Sequence, residues 1–81
     1  MAKELVIDDE ARVKLALMNI IDQDLRRRFR TVEAAAEFAH VDVYRLHRFR
    51  AMQHDQFSWG WLFNLAKSAK IRILIHIEPA S

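Results

Sequence analysis

The apolar positions of this chain fall into several helical stretches followed by one alternating stretch. Ala11, Leu15, Met18, Ile21 and Leu25 recur in steps of three and four, which places them on one face of a helix. Leu17 and Ile20 widen that stripe, so the helix is expected to be covered on more than one side. Asp8 or Asp9 can cap its start, Glu10 suits the positive end of the helix dipole, and Glu10 with Lys14 has the spacing of a solvent-side ion pair. The helix should end near Arg28. Two shorter helices follow. Thr31 caps the first, over Val32–Ala39, and Asp42 caps the second, over Val43 to about Arg50. Val41 and Leu46 flank that second cap with the spacing of a hydrophobic staple. After a connection over residues 51–56, Ser58 caps a last helix whose inner face is Leu62, Leu65, Ala66 and Ala69, with Phe57 and Leu62 as its staple. Ile71, Ile73, Ile75 and Ile77 then alternate with Arg72, Leu74 and His76, the period of a strand, and Pro79 stops the pattern. The opening MAKELVI reads as a flexible start, with a short strand over Leu5–Ile7 as the alternative.

The pair of short helices organises the rest. Ala35, Ala36 and Ala39 allow close approach of another helix, while Val41, Leu46 and Phe49 give the second helix one buried stripe. Two such helices joined by a tight turn, with arginines on the outer side of the second, describe a helix-turn-helix. If that second helix enters a DNA major groove, Val43, Tyr44, Arg45 and His47 are the candidates for base contact. Arg45 is the best placed of these for a bidentate bond to guanine. Arg48 and Arg50, further along, are candidates for phosphate.

Charge sharpens this picture. The 81 residues carry a formal net charge of only +2, but residues 1–24 hold six acids and three bases whereas residues 26–50 hold seven arginines and three acids. Arg26, Arg27, Arg28 and Arg30 form the densest cluster. They are equally well read as phosphate contacts beside the motif and as a solvated run at a helix C-terminus. With one glycine, one proline and no cysteine, the chain is expected to be a single, mainly α domain of four to five helices plus a terminal strand, without disulfide or thiolate-bound metal. His40, His47 and His54 recur every seven residues but fall on a turn, a helix and a loop, so no metal or cofactor is expected. No apolar run approaches membrane-spanning length and no signal pattern opens the chain, so a cytoplasmic protein that avoids membranes is expected. No nucleophile, phosphate loop or paired carboxylates suggests catalysis.

The motif from Thr31 through Ala35-Ala36, Val41, Leu46, Arg48 and Phe49 to Phe57-Ser58, then Leu62, Leu65, Ala66 and the strand, resembles small regulators of the Xre/Cro-repressor class. It is most similar to the antitoxin-like subgroup whose helical domain ends in a β-strand. The resemblance covers about 47 of 81 residues, from Thr31 to Ile77. It departs from the pattern at Val32 and Val43, where the family has glutamine, at Asp42, where it has serine, and at His40, Met52 and Lys70, where it has glycine. The valines remove polar groups that the family aims at bases and phosphates. Histidine tolerates the left-handed backbone that the turn requires. The resemblance implies sequence-specific binding of double-stranded DNA, repression of a small operon, a strand-mediated homodimer and a toxin protein as partner.

A lone strand leaves its backbone groups unpaired, so Ile71, Ile73, Ile75 and Ile77 are expected to pair with the same strand of a second copy unless Leu5–Ile7 takes that place. Trp59 and Trp61 exceed what so small a core needs and are expected at an interface. The competing reading, favoured by Val32, Asp42 and Val43, is a helix-turn-helix turned into a protein-interaction or inhibitor module that no longer reads DNA.

Overall fold

The computed structural model describes the backbone of residues 3–7 and 10–77 and the side chains of residues 10–74. The capping residues proposed for the first helix, Asp8 and Asp9, lie outside the described residues. The chain is mainly helical. Its order is β1 (Lys3–Ile7), α1 (Glu10–Arg28), α2 (Val32–Ala39), α3 (Val43–Arg50), a short 3-10 helix (His54–Gln56), α4 (Trp59–Ser68) and β2 (Ile73–Ile77).

Local chemistry explains the helix boundaries. Thr31 Oγ1 accepts from Ala34 N at 3.1 Å, Asp42 Oδ1 from Tyr44 N at 2.7 Å, and Ser58 Oγ from Trp61 N at 3.1 Å. Each side chain satisfies a backbone N–H that the first turn of its helix cannot. Helix ends are closed by backbone geometry. At the end of α2, His40 N donates to Glu37 O and Val41 N to Ala36 O; at the end of α4, Lys70 N donates to Lys67 O and Ile71 N to Ala66 O. Both are Schellman closures, which need a left-handed residue just past the helix. His40 at φ 58° and Lys70 at φ 60° supply it, and Met52, which donates to Phe49 O at 3.0 Å after α3, is left-handed too, at φ 60°. No glycine occupies these three positions. Gly60, in the first turn of α4, is elsewhere and answers no close approach, since an added Cβ would meet only Ser58 Oγ, at 3.9 Å.

The four α-helices enclose one core. Leu17, Met18, Ile21 and Leu25 of α1 meet Ala35, Ala36 and Ala39 of α2, Leu46 and Phe49 of α3, and Leu62, Leu65, Ala66 and Ala69 around α4. Fully burying each large apolar side chain contributes about 1.5–3 kcal/mol. The small alanines let α2 sit close against its neighbours, as their spacing suggested.

Several expectations are corrected. The buried stripe of α1 is Val13, Leu17, Met18, Ile21 and Leu25, not one that begins at Ala11 and Leu15: Ala11 is exposed and Leu15 half-buried. The helix is turned so that Asp22 is also buried. Glu10 and Lys14 do not pair with each other; both turn to Trp59, whose Nε1 donates to Glu10 Oε1 at 3.1 Å while Lys14 Nζ lies 5.6 Å from its ring centroid. The C-terminal strand starts at Ile73, because Ile71 is used to close α4. Finally, the opening segment is a strand. β1 pairs with β2 in parallel, with Lys3 opposite Ile73 and Ile7 opposite Ile77. Within the chain, therefore, β2 has a partner, and it is the N-terminal alternative.

Candidate nucleic-acid interface

Helix α3 is eight residues long, so its faces follow directly from about 100° of rotation per residue. Leu46 and Phe49 point into the core and are fully buried. Tyr44, His47 and Arg48 lie on the side away from them and are exposed, Tyr44 to 77%. Val43 and Arg50 occupy the flank toward α1 and are half-buried, and Arg45 lies on the opposite flank, toward α4.

Asp42 has a structural role. Its carboxylate accepts from Tyr44 N at 2.7 Å and Arg45 N at 3.3 Å, so its charge is directed at the positive end of α3. An ionised carboxylate is a stronger acceptor at this cap than a hydroxyl would be. It also holds a negative charge at the entrance to the outer face.

Arg45 is held in place. Its guanidinium carbon lies 5.0 Å from the ring centroid of Phe57 and 5.1 Å from that of Trp61. Those two rings pack with centroids 4.7 Å apart, and Phe49 supports both, edge-on to Phe57 at 6.0 Å and tilted to Trp61 at 5.9 Å. The arginine thus rests on an aromatic shelf built by Trp61 at the start of α4 and Phe57 just before its cap.

The basic cluster proves to be divided. Asp22, buried in α1, accepts from Arg26 Nε at 2.9 Å and lies 3.3 Å from Arg50 Nε, a contact with charge complementarity but without hydrogen-bond alignment. It ties the end of α3 to α1. On the opposite flank of α1, Asp24 pairs with both Arg27 and Arg28. Arg28 also donates to Ala69 O at 2.6 Å and covers the rings of Phe29 and Phe38, so it joins the ends of α1 and α4. Arg30 and Arg48 are exposed and, among the described residues, their side chains make no hydrogen bond or ion pair. Of six arginines proposed from sequence for phosphate, four are therefore engaged within the chain.

The two tryptophans also have partners in the chain. Trp59 lies against the start of α1 and stacks on Phe63, with centroids 5.8 Å apart; Trp61 belongs to the shelf under Arg45. Both are half-buried, as are Ile71 and Ile73, while the side chains of Ile75 and Ile77 lie outside the described residues. Sequence reasoning passed over Asp22 and Phe57 as parts of this surface. A lone acid at one position of an otherwise apolar helical face was the available signal for Asp22. Nothing local marks a phenylalanine as an arginine's support.

Among the described residues, no three His, Cys, Asp or Glu side chains gather where they could hold a metal ion, and no helix is long and apolar enough to cross a membrane. Comparison with protein-family profiles, curated proteins and solved structures gives no match.

Proposed function

We propose that this chain is a sequence-specific DNA-binding regulator of repressor or antitoxin type, acting as a homodimer in the cytoplasm and carrying no catalytic activity. The observation that carries the reading is the make-up of α3: a firmly capped, short helix anchored by Leu46 and Phe49, with Tyr44, His47 and Arg48 projecting from its free face. A helix of this kind presents its N-terminal residues to base edges when it lies in the major groove. Tyr44 is the first reader, able to contact a thymine methyl or the backbone; Arg45 is poised beside it. Arg48 and Arg30 supply phosphate contacts.

The strand pair fits a dimer. A two-stranded sheet is marginal by itself, and each strand of the pair keeps one edge without a partner among the described residues. Antiparallel pairing of β2 with β2 of a second copy would give four strands about a two-fold axis. Such a dimer carries two copies of α3, the arrangement that reads a palindrome.

A second reading has its own support. Asp22 and Asp24 neutralise much of the arginine cluster, and a groove between α1 and the α4–β2 connection is lined by Lys70 and Arg72, by Arg27 and Arg28 with their partner Asp24, and by Ile20 and Ile71. An interaction module would use such a groove for an acidic protein partner, such as the toxin that the resemblance implies.

Enrichment of duplexes from a random pool, followed by fluorescence anisotropy on an enriched and a scrambled duplex, separates the two. Preference for the enriched duplex that survives near-physiological salt is the expected result. Failure to enrich, or equal affinities that vanish together as salt rises, would refute DNA reading and leave the interaction module.

A further inference from the structure

We infer that Trp61 and Phe57 are positioning residues that hold Arg45 ready to read a guanine, an inference that rests on the DNA-binding reading above. Arg45 lies in the first turn of α3, three residues after the cap Asp42, the region of a recognition helix that reaches base edges. It does not share the outermost face with Tyr44 and Arg48, so an unrestrained side chain there would sample many directions. The shelf restricts it. The guanidinium carbon lies over two rings, 5.0 and 5.1 Å from their centroids. Phe57 is buried and cannot follow the arginine if it moves, and the support of Phe49 ties the shelf to the core.

The kind of contact matters as much as its presence. A ring face attracts the guanidinium through its quadrupole and takes up none of its N–H groups. Among the described residues, the Arg45 side chain makes no hydrogen bond or ion pair. Arg26, Arg27 and Arg28, by contrast, spend N–H groups on carboxylates. Arg45 is thus oriented while its planar fork of donors stays available. That combination suits the O6 and N7 acceptors of guanine, which demand two parallel bonds from one plane. A phosphate contact tolerates many approaches and has less need of a preset plane. Arg45 and its shelf therefore act on specificity, with Trp61 working through Arg45 and not on the base itself.

The test uses the full chain, an enriched duplex and a scrambled duplex of the same composition. Trp61→Leu keeps an apolar side chain, though a smaller one, against Phe49 and Phe57 and removes the ring face. Trp61→Phe keeps a ring. The stack predicts that Trp61→Leu weakens binding to the enriched duplex about tenfold, the range of a partly desolvated cation–π contact, and leaves the scrambled duplex unchanged. Trp61→Phe should restore most of the loss. In an Arg45→Ala background, Trp61→Leu should have no further effect. Equal losses on both duplexes, or a tenfold loss that persists without Arg45, would overturn the positioning role; circular dichroism of each variant reports whether it is folded. Equal losses from Arg45→Ala alone would make Arg45 a phosphate contact and overturn guanine reading.

An NMR measurement without DNA separates this inference from the function beneath it. The Arg45 Nε–H signal should be ring-current shifted and ordered in the wild type, and released in Trp61→Leu. An ordered Arg45 in a protein that prefers no duplex would sink the DNA reading and the inference together. A disordered Arg45 in a protein that does select DNA would sink the inference alone.

Discussion

Lys70 closes α4 in the left-handed region, at φ 60°, and offers the cleanest measure of backbone strain in this fold. Its side chain is exposed and, among the described residues, makes no hydrogen bond or ion pair, so little is lost by removing it. Its backbone, however, is committed: Lys70 N donates to Lys67 O at 3.0 Å and the following Ile71 N to Ala66 O at 2.8 Å. Any residue with a Cβ costs roughly 1–2 kcal/mol in that conformation. Glycine escapes this cost but gives the unfolded chain extra freedom, a loss of about 0.4–1 kcal/mol. Lys70→Gly should therefore stabilise the protein by about 0.5–1 kcal/mol, whereas Lys70→Ala keeps the strain and should be close to neutral. For a domain of this size, 1 kcal/mol moves the melting temperature by about 4–8 °C. The assay is thermal unfolding by circular dichroism at one fixed protein concentration, since a dimer would make the midpoint depend on concentration. Asn64, exposed inside α4, is the control. There the order should invert, with Gly about 1 kcal/mol worse than Ala. Lys70→Gly melting at or below Lys70→Ala would refute the claim that the Schellman closure holds strain. Met52 is a poorer probe, because its half-buried side chain packs against the core and its loss would offset any relief.

Asp22→Ala leaves the half-buried Arg50 without its carboxylate and should destabilise by about 3 kcal/mol, read as a lower urea midpoint; a change under 0.5 kcal/mol would show that α3 is not tied to α1 through this pair. Arg30→Ala and Arg48→Ala should each lower the salt-dependence slope of DNA binding by about 0.9, while the paired Arg26 should leave it almost unchanged. A uniform decrease for all three would mean that the Asp22 pair opens on DNA. Replacing both Ile73 and Ile75 with Asp should convert a dimer to monomer or unfold it; an unchanged dimer mass by light scattering would remove β2 from the interface.

The features legible along the chain were local ones. Thr31, Asp42 and Ser58 marked helix starts because a cap bonds to a backbone group two or three residues away, and each does so here. The turn at His40 and the inner faces of α2, α3 and α4 were legible for the same reason: helical geometry ties neighbours in sequence to neighbours in space. The candidate site was less legible. Spacing could put Tyr44, His47 and Arg48 on a face free of Leu46 and Phe49, but not reveal that Arg45 would lie against Phe57 and Trp61, residues from another element. The run Arg26–Arg28 looked like one basic cluster. The tertiary structure divided it, because the two flanks of α1 meet different neighbours, Arg50 on one and Ala69 on the other. The parallel pairing of β1 with β2 was likewise decided at long range, as two ends of the chain satisfying each other's backbone. Residue types state what a group can bind; only the packed helices decide which partner comes within reach.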